Sequence, residues 1–451
     1  MNKIIILKPF FFLALIFPSL LLAQHTIKGV FTPAADYNIA LLYKVNPVIS
    51  DYVTSAEIQK DGSFKFQLDS TATKGMYRLV YAIPQEDYNF DIIYNGKEDV
   101  ELKFNSETGV KFQKSNENKL LASYHNSMSM VIHSISNYYK SETKDTTALK
   151  AIFKTQKETQ SNFENAAKGT IALHFIKANK PFVPAKALTA SNYINKLKEH
   201  YFDYVDFKNP TLQSSSFLEE KMLSYVFGMT SKNLDEISNY KANIDVVYKA
   251  MKTAPNEVKR SLLFDLWQEM ADLKLEPVAN YISTTYLNDV AKALNDNELL
   301  AALKLYKNIS NGNKAPDFTL TVKEQDKKIT KKLSELNGAE NYIIVFWSST
   351  CSHCLDEIPQ LKAFIDSEEK GKIKVIAIGL EEAEDLEGWK AQTKKYPEFI
   401  HVYGKGKWDN TISDAYGVTA TPTYFILNKN KEIIDKPDHI DDLMMFFEGE
   451  E

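Results

Sequence analysis

Cysteine is almost absent from this chain: 451 residues contain two. No third cysteine exists to pair with either, which excludes a structural disulfide framework. The two stand in Cys351-Ser352-His353-Cys354. A ring that small is a weak staple, worth roughly 2 kcal/mol in chain-entropy terms against about 4.7 for a loop of about 100 residues. A tetrahedral zinc site wants four ligands, and only His353 accompanies the pair. Elsewhere His125, His133, His174 and His200 are scattered without H-E-x-x-H spacing, so no metal site is expected. Positive charge is also short. The formal net charge is −5 and no basic stripe is interleaved with aromatics, which argues against a nucleic-acid binder. Beyond residue 22 no run approaches 18 apolar residues, so no later membrane-spanning helix is expected. The leading reading of the cysteine pair is a redox dithiol, with no cofactor; a vestigial or incidental pair is the alternative.

The first residues differ from the rest. Lys3 precedes an apolar stretch over residues 4–22, interrupted by Lys8, Pro9 and Pro18, and Ala23 ends it. This pattern predicts a secretory signal peptide over residues 1–23, cleaved near Ala23, with a retained anchor as the alternative. The expected location is periplasmic or otherwise extracytoplasmic. Thiols there tend toward oxidation, so a working dithiol needs an electron supply.

Three regions follow. Over residues 24–113 the apolar period is two: Phe64, Phe66 and Leu68 alternate with Lys65 and Gln67, and Val100, Leu102 and Phe104 with Glu101 and Lys103. Asp61 with Gly62, and Asn95 with Gly96, read as hairpin turns. About seven short strands predict a small antiparallel β-sandwich. Over residues 114–310 the period becomes helical, as in Val258, Leu262, Leu266 and Met270, and the glycines between residues 115 and 310 are Gly169 and Gly228. This α-helical middle region reads as core-forming, not as a cofactor box. Asn311, Gly312 and Asn313 read as a hinge into residues 311–451. Strands and helices alternate there, which implies a sheet covered by helices. The chain is therefore multidomain, ending in an α/β domain.

The pair falls where an apolar strand (residues 341–347) gives way to a helix. Free N–H groups of the first helical turn, and the positive end of its dipole, favour charge on the Cys351 sulfur. A thiolate is the attacking species. Cys354, one turn further in, is placed to resolve the mixed disulfide. His353 between them would tune the ionisation of Cys351 when protonated; a solvent-facing His with little influence is the other reading. Glu357 is three residues past Cys354 and shares its helix face, so its carboxyl could move a proton at the second thiol; a solvated surface charge is the other reading. Pro359 falls inside the helix, where it should bend the axis. Pro422, ahead of the apolar stretch over residues 423–427, marks a turn.

In combination, Phe346-Trp347, the cysteine pair, Glu357, Pro359 and Tyr416-Gly417-Val418 leading to Thr421-Pro422-Thr423 resemble the thioredoxin superfamily, most of all its exported TlpA/ResA-type branch. The resemblance runs from about residue 314 to the end. It implies a thioredoxin-like fold, Cys351 as nucleophile, Cys354 as resolving cysteine and Glu357 as proton carrier. It also implies a cis Pro422 shaping the substrate groove, with Thr421 a backbone contact. The upstream β domain and helical spacer are similar to those of Bacteroidetes-type exported redox proteins.

The chain departs from the family pattern at several points. Thr350 stands where Trp is usual, Ser352-His353 replaces Gly-Pro or Glu-Pro, and Val345 occupies the place of a buried Asp. The expected activity is an exported thiol–disulfide oxidoreductase that reduces disulfides of exported proteins and is recharged by a membrane thiol donor. A middle His also suits disulfide oxidases and isomerases. The rival from another class is a partner-binding protein, or a homo-oligomer through the upstream domains, in which the redox domain is secondary.

Overall fold

The structure is a computed structural model. It describes residues 25–449 except 48, 86, 142, 144, 232, 325, 326, 369 and 370. The expected signal peptide at residues 1–23 lies outside the described residues. The chain divides into two compact units. One comprises the described residues up to 234 with Ala242–Leu262, the other Asp235–Lys241 with the described residues from 263 onward.

The first unit opens with β1 (Thr26–Thr32), β2 (Ile39–Lys44), β3 (Asp51–Glu57), β4 (Ser63–Gln67), β5 (Gly75–Val80), β6 (Asn89–Tyr94), β7 (Val100–Asn105) and β8 (Gly109–Lys114). They form two four-stranded sheets, ordered β4-β1-β7-β8 and β3-β2-β5-β6. The two-residue period turns one side of each strand inward. Ile27, Phe64, Phe66 and Leu102 from one sheet meet Leu42, Leu79 and Ile92 from the other in one core. The sandwich is antiparallel except that β1 and β7 run parallel.

Neither expected hairpin turn is one. Gly62 (φ +81) and Gly96 (φ +72) do take the left-handed conformation, but each joins strands of different sheets. Positive φ is a local demand, whereas sheet membership is decided by which faces can be buried. At Gly62 a Cβ would meet the Phe31 carbonyl oxygen at 2.2 Å, so glycine is required there as much by crowding as by backbone angle.

The helices that follow are α1 (Asn116–Lys140), α2 (Thr146–Ala166), α3 (Ala172–Ala178), α4 (Ala190–Glu199), α5 (Pro210–Gln213), α6 (Phe217–Gly228), α7 (Glu236–Ala250), α8 (Asn256–Asp272), α9 (Glu276–Ile282), α10 (Asn288–Leu294) and α11 (Asn297–Asn308). Buried polar side chains tie those of the first unit to their neighbours. Asn118 accepts from the Ile93 N–H at 2.9 Å and donates to the Ile93 carbonyl at 2.7 Å, extending the β6 ladder onto α1. Glu117 accepts from Ile171 N and Ala172 N at 2.7 and 3.3 Å, at the start of α3. Gln160 accepts from the Tyr124 hydroxyl and donates to the Ile176 carbonyl, both at 2.9 Å.

In the second unit, β9 (Thr319–Glu324) and β10 (Lys327–Lys332) make a two-stranded ribbon. β11 (Asn341–Trp347), β12 (Ile373–Glu381), β13 (Ile400–Lys405), β14 (Thr423–Asn428) and β15 (Ile433–Asp435) make a five-stranded sheet, ordered β13-β12-β11-β14-β15. β11 and β12, and β12 and β13, pair in parallel; β14 is antiparallel to β11. β11 is continuously apolar because both its faces are covered. Tyr342, Ile344 and Phe346 enter one core with Ile376, Ile378 and Tyr416. Ile343, Val345 and Trp347 enter the other with Cys354, Ile358 and Leu443. The helices are α12 (Ser352–Ser367), α13 (Leu386–Thr393), α14 (Thr411–Tyr416) and α15 (Ile440–Glu448). Pro359 lies inside α12.

The expected hinge is tied down. Gly312 N donates to the Ile433 carbonyl at 2.7 Å, Ile433 N to Asn313 O at 2.8 Å, and Ala315 N to Lys431 O at 2.9 Å. Backbone donors beside an edge strand find sheet-like partners, so the segment is anchored where its composition suggested freedom.

Candidate active site

The cysteines sit beyond the C-terminal end of β11, where open parallel sheets place their ligand sites. Cys351 caps α12 with extended backbone (φ −90°, ψ 116°), and its sulfur accepts from the Cys354 N–H at 3.2 Å. A first-turn N–H aimed at sulfur is the arrangement that suits a thiolate. The same sulfur lies 3.4 Å from the Thr421 carbonyl oxygen, to which the thiol donates. The Thr421–Pro422 peptide is cis. The Thr421 carbonyl thus lies against the Cys351 sulfur, with Pro422 next in the chain; Cys351 is half-buried and both cysteines are free.

Cys354 is 0 % exposed, within the core formed by Trp347, Ile358 and Tyr424. Burial, followed by its hydrogen bond with Cys351, pushes its pKa up to about 12; a backbone hydrogen bond from Ser348 acts the other way. Burial thus favours the neutral thiol form of Cys354.

Glu357 is on the same helix, with a side chain 14 % exposed. Its Oε2 accepts from the Tyr424 hydroxyl at 2.9 Å and from Ile440 N, at the start of α15, at 3.1 Å. Its Oε1 lies 3.6 Å from Nδ1 of the exposed His439. Burial raises the pKa of Tyr424, and the charge on Glu357 raises it further; the two cysteines add smaller contributions. Tyr424 thus hydrogen-bonds the carboxylate and shares a core with Cys354. His353 is exposed on the first turn of α12.

Sequence reading did not single out Tyr424, His439 or Glu381. Tyr424 was visible only as one residue of an apolar strand. Glu381 was visible as an acid closing the run Ile376–Leu380, a pattern that does not separate a buried carboxylate from a strand's solvated end. Glu381 is fully buried; its Oε1 accepts from Ser349 N at 2.5 Å and its Oε2 from the Ser348 hydroxyl at 3.1 Å.

A sequence profile of the AhpC/TSA family matches residues 311–436. The C-terminal domain is a thioredoxin-like domain of that family. The sporulation thiol–disulfide oxidoreductase A of Bacillus subtilis is 29 % identical over 102 residues, covering 22 % of this chain and 58 % of that protein. The thiol–disulfide oxidoreductase ResA of Bacillus cereus is 29 % identical over 126 residues, covering 28 % of this chain and 68 % of its own. The chain thus spans under two thirds of the first of these relatives. A thioredoxin-like protein from Bacteroides caccae aligns over 60 % of this chain and 98 % of its own, with 17 % identity and a TM-score of 0.33. The thioredoxin-like domain carries both cysteines of the protein. Among the described residues no group of three or more His, Cys, Asp or Glu is disposed to hold a metal ion.

Proposed function

We propose that this protein is a thiol–disulfide oxidoreductase that reduces disulfides of exported proteins. The observation that carries this reading is the unequal burial of two adjacent cysteines. Cys351 is accessible at a helix cap beside the Thr421 carbonyl, and Cys354 is sealed beneath it. The Cys351 thiolate attacks a substrate disulfide, forming one sulfur–sulfur bond while the other substrate sulfur leaves and takes a proton. Cys354 then gives up its proton, assisted by Glu357 three residues further along its helix, and attacks Cys351. The second substrate thiol departs and the protein holds the two electrons' loss as a Cys351–Cys354 disulfide. A membrane thiol donor would return it to the dithiol. Thr421 supplies a backbone contact for the substrate chain, and Pro422 shapes the groove.

The leader-like residues 1–23 support an extracytoplasmic site of action, checked by fractionation of the full-length product. The direction of electron flow has a second reading. Ser352-His353 favours an oxidase or isomerase, because a cation between the cysteines stabilises the thiolate. A reduction potential near about −270 mV supports the reductase, and one near about −120 mV would replace it with the oxidase. The activity itself is tested with a Cys354→Ala trap. This variant should accumulate mixed disulfides through Cys351, and the wild type should reduce insulin. Absence of both would refute the enzyme reading and leave a partner-binding role for the upstream domains.

A further inference from the structure

We propose that Glu381 is a positioning residue that holds the Cys351–Cys354 couple toward its reducing side, acting through the turn formed by Ser348, Ser349 and Thr350. The inference rests on the dithiol reading above and deepens it.

Glu381 ends β12, which runs parallel beside β11, so its carboxyl comes to lie under the turn that follows β11. It is 0 % exposed and, among the described residues, has no ion pair. A buried charge without a cation is costly and persists only when hydrogen bonds hold it. Both oxygens here are acceptors, one from Ser349 N and one from the Ser348 hydroxyl.

Counting protons fixes the direction of the remaining bonds. Ser348 has one hydroxyl proton, and it points at Glu381. The Thr350 hydroxyl, 2.9 Å from Ser348 Oγ, must therefore be the donor there, and Thr350 N donates to the same oxygen at 3.2 Å. The polar chain thus runs from Thr350 through Ser348 to Glu381. Thr350 directly precedes Cys351, and it is the position where the sequence departs from the family's usual Trp. Ser348 also reaches both cysteines: its carbonyl accepts from Cys351 N at 3.2 Å, and its backbone hydrogen-bonds the Cys354 thiol.

One residue therefore links a buried carboxylate that lacks a cation to the backbone of Cys351 and to the thiol of Cys354. Negative charge there opposes formation of the Cys351 thiolate. It offsets what the helix cap and His353 favour, so the reduced form is less stabilised and the dithiol gives up electrons more readily.

The test compares wild type, Glu381→Gln and Glu381→Asp as full chains, with folding checked by thermal melting. Each is equilibrated with mixtures of glutathione and glutathione disulfide, and the dithiol fraction is trapped and counted. Gln keeps the shape but removes the charge. It should move the equilibrium about tenfold toward the dithiol, about 30 mV toward a more oxidising couple. Reduced Glu381→Gln should also react several-fold faster with iodoacetamide at pH 7. Asp keeps the charge and should stay within about twofold of wild type.

A purely structural role gives the opposite order, with the isosteric Gln unshifted and the shorter Asp displaced; that result overturns the proposal. Should Glu381→Gln not fold, Ser348→Ala serves instead. Loss of its hydroxyl leaves the carboxylate less screened and should shift the equilibrium toward the disulfide; no shift, or a shift toward the dithiol, overturns the proposal. If the wild type forms no Cys351–Cys354 disulfide at any glutathione ratio, the dithiol reading itself has failed, which is a distinguishable outcome.

Discussion

In the first unit, Glu117, Asn118 and Gln160 are buried polar side chains whose partners are backbone groups or side chains of neighbouring elements. In the second unit, Glu381, Ser348 and Cys354 are buried just as deeply, yet they converge on one turn and one pair of sulfurs. The first arrangement spreads polar groups out as ties between helix and sheet. The second concentrates them; among the described residues Trp347 Nε1 and Ser349 Oγ beside the turn have no hydrogen-bond partner, as is also true of Asn243 Oδ1 in the first unit. Polar groups spread out as ties fix a scaffold, whereas ones gathered around a nucleophile bear on its reactivity. If that contrast is right, removing a tie in the first unit should change stability and leave sulfur chemistry alone. Changes around the dithiol should do the reverse, or both.

The largest expected effect is within the cysteine pair. Burial raises Cys354 to about 12 from 9.0. At neutral pH its thiolate fraction is thus lower by about three decades than that of an ordinary thiol. Limiting iodoacetamide at pH 7 should modify Cys351 and spare Cys354, and urea should abolish the difference; peptide mapping reads both. The sign for stability follows from the same shift. The folded state holds this proton more tightly than the unfolded one. The contribution is therefore complete below about pH 9 and is lost as pH rises toward about 12. Melting of reduced wild type compared with Cys354→Ala across that range checks it.

A second comparison sets a buried glutamate beside a half-buried one. Glu117→Ala leaves the N–H groups of Ile171 and Ala172 without an acceptor and should cost about 1–3 kcal/mol by urea unfolding, with insulin reduction unchanged. Glu357→Gln keeps an acceptor for Tyr424 and Ile440 N and should cost less, about 1 kcal/mol. It should nevertheless slow release of substrate from the Cys351 mixed disulfide. A Glu117 variant with altered thiol kinetics would dissolve the contrast between the units.

The smallest effect belongs to the surface of the first unit. Lys114 at 2.9 Å and the Thr26 N–H hold the Asp99 carboxyl down, to about 2. Its stabilisation is present above about pH 4 and disappears as pH falls toward about 2. Screening of this largely exposed pair should keep it below about 1 kcal/mol. Asp99→Asn should flatten the acid limb of the stability profile by that amount and leave everything at pH 7 in place.

The thioredoxin-like half was legible in the sequence because its signals are local or continuous. β11 is buried on both faces and so reads as an unbroken apolar run; Cys351 follows it directly; Pro422 stands at the head of β14. The ribbon of β9 and β10 was missed because strands exposed to solvent, such as Lys327–Lys332, show no alternation. The pairing of the sandwich was misread at Gly62 and Gly96 because a turn residue reports its own backbone angle and not which sheet the next strand joins. Within the site, Cys351, Cys354 and Glu357 were visible through their spacing along one helix. Tyr424, His439 and Glu381 were not, because each reaches the site from a different element, across distances in the chain that no periodicity encodes.

The most direct test of the account follows the reduced full chain with glutathione disulfide by rapid acid quench and mass spectrometry. Glutathione should appear first on Cys351 and then vanish as a Cys351–Cys354 disulfide forms. An adduct that begins on Cys354, or one on Cys351 that never gives way to the internal disulfide, would contradict it.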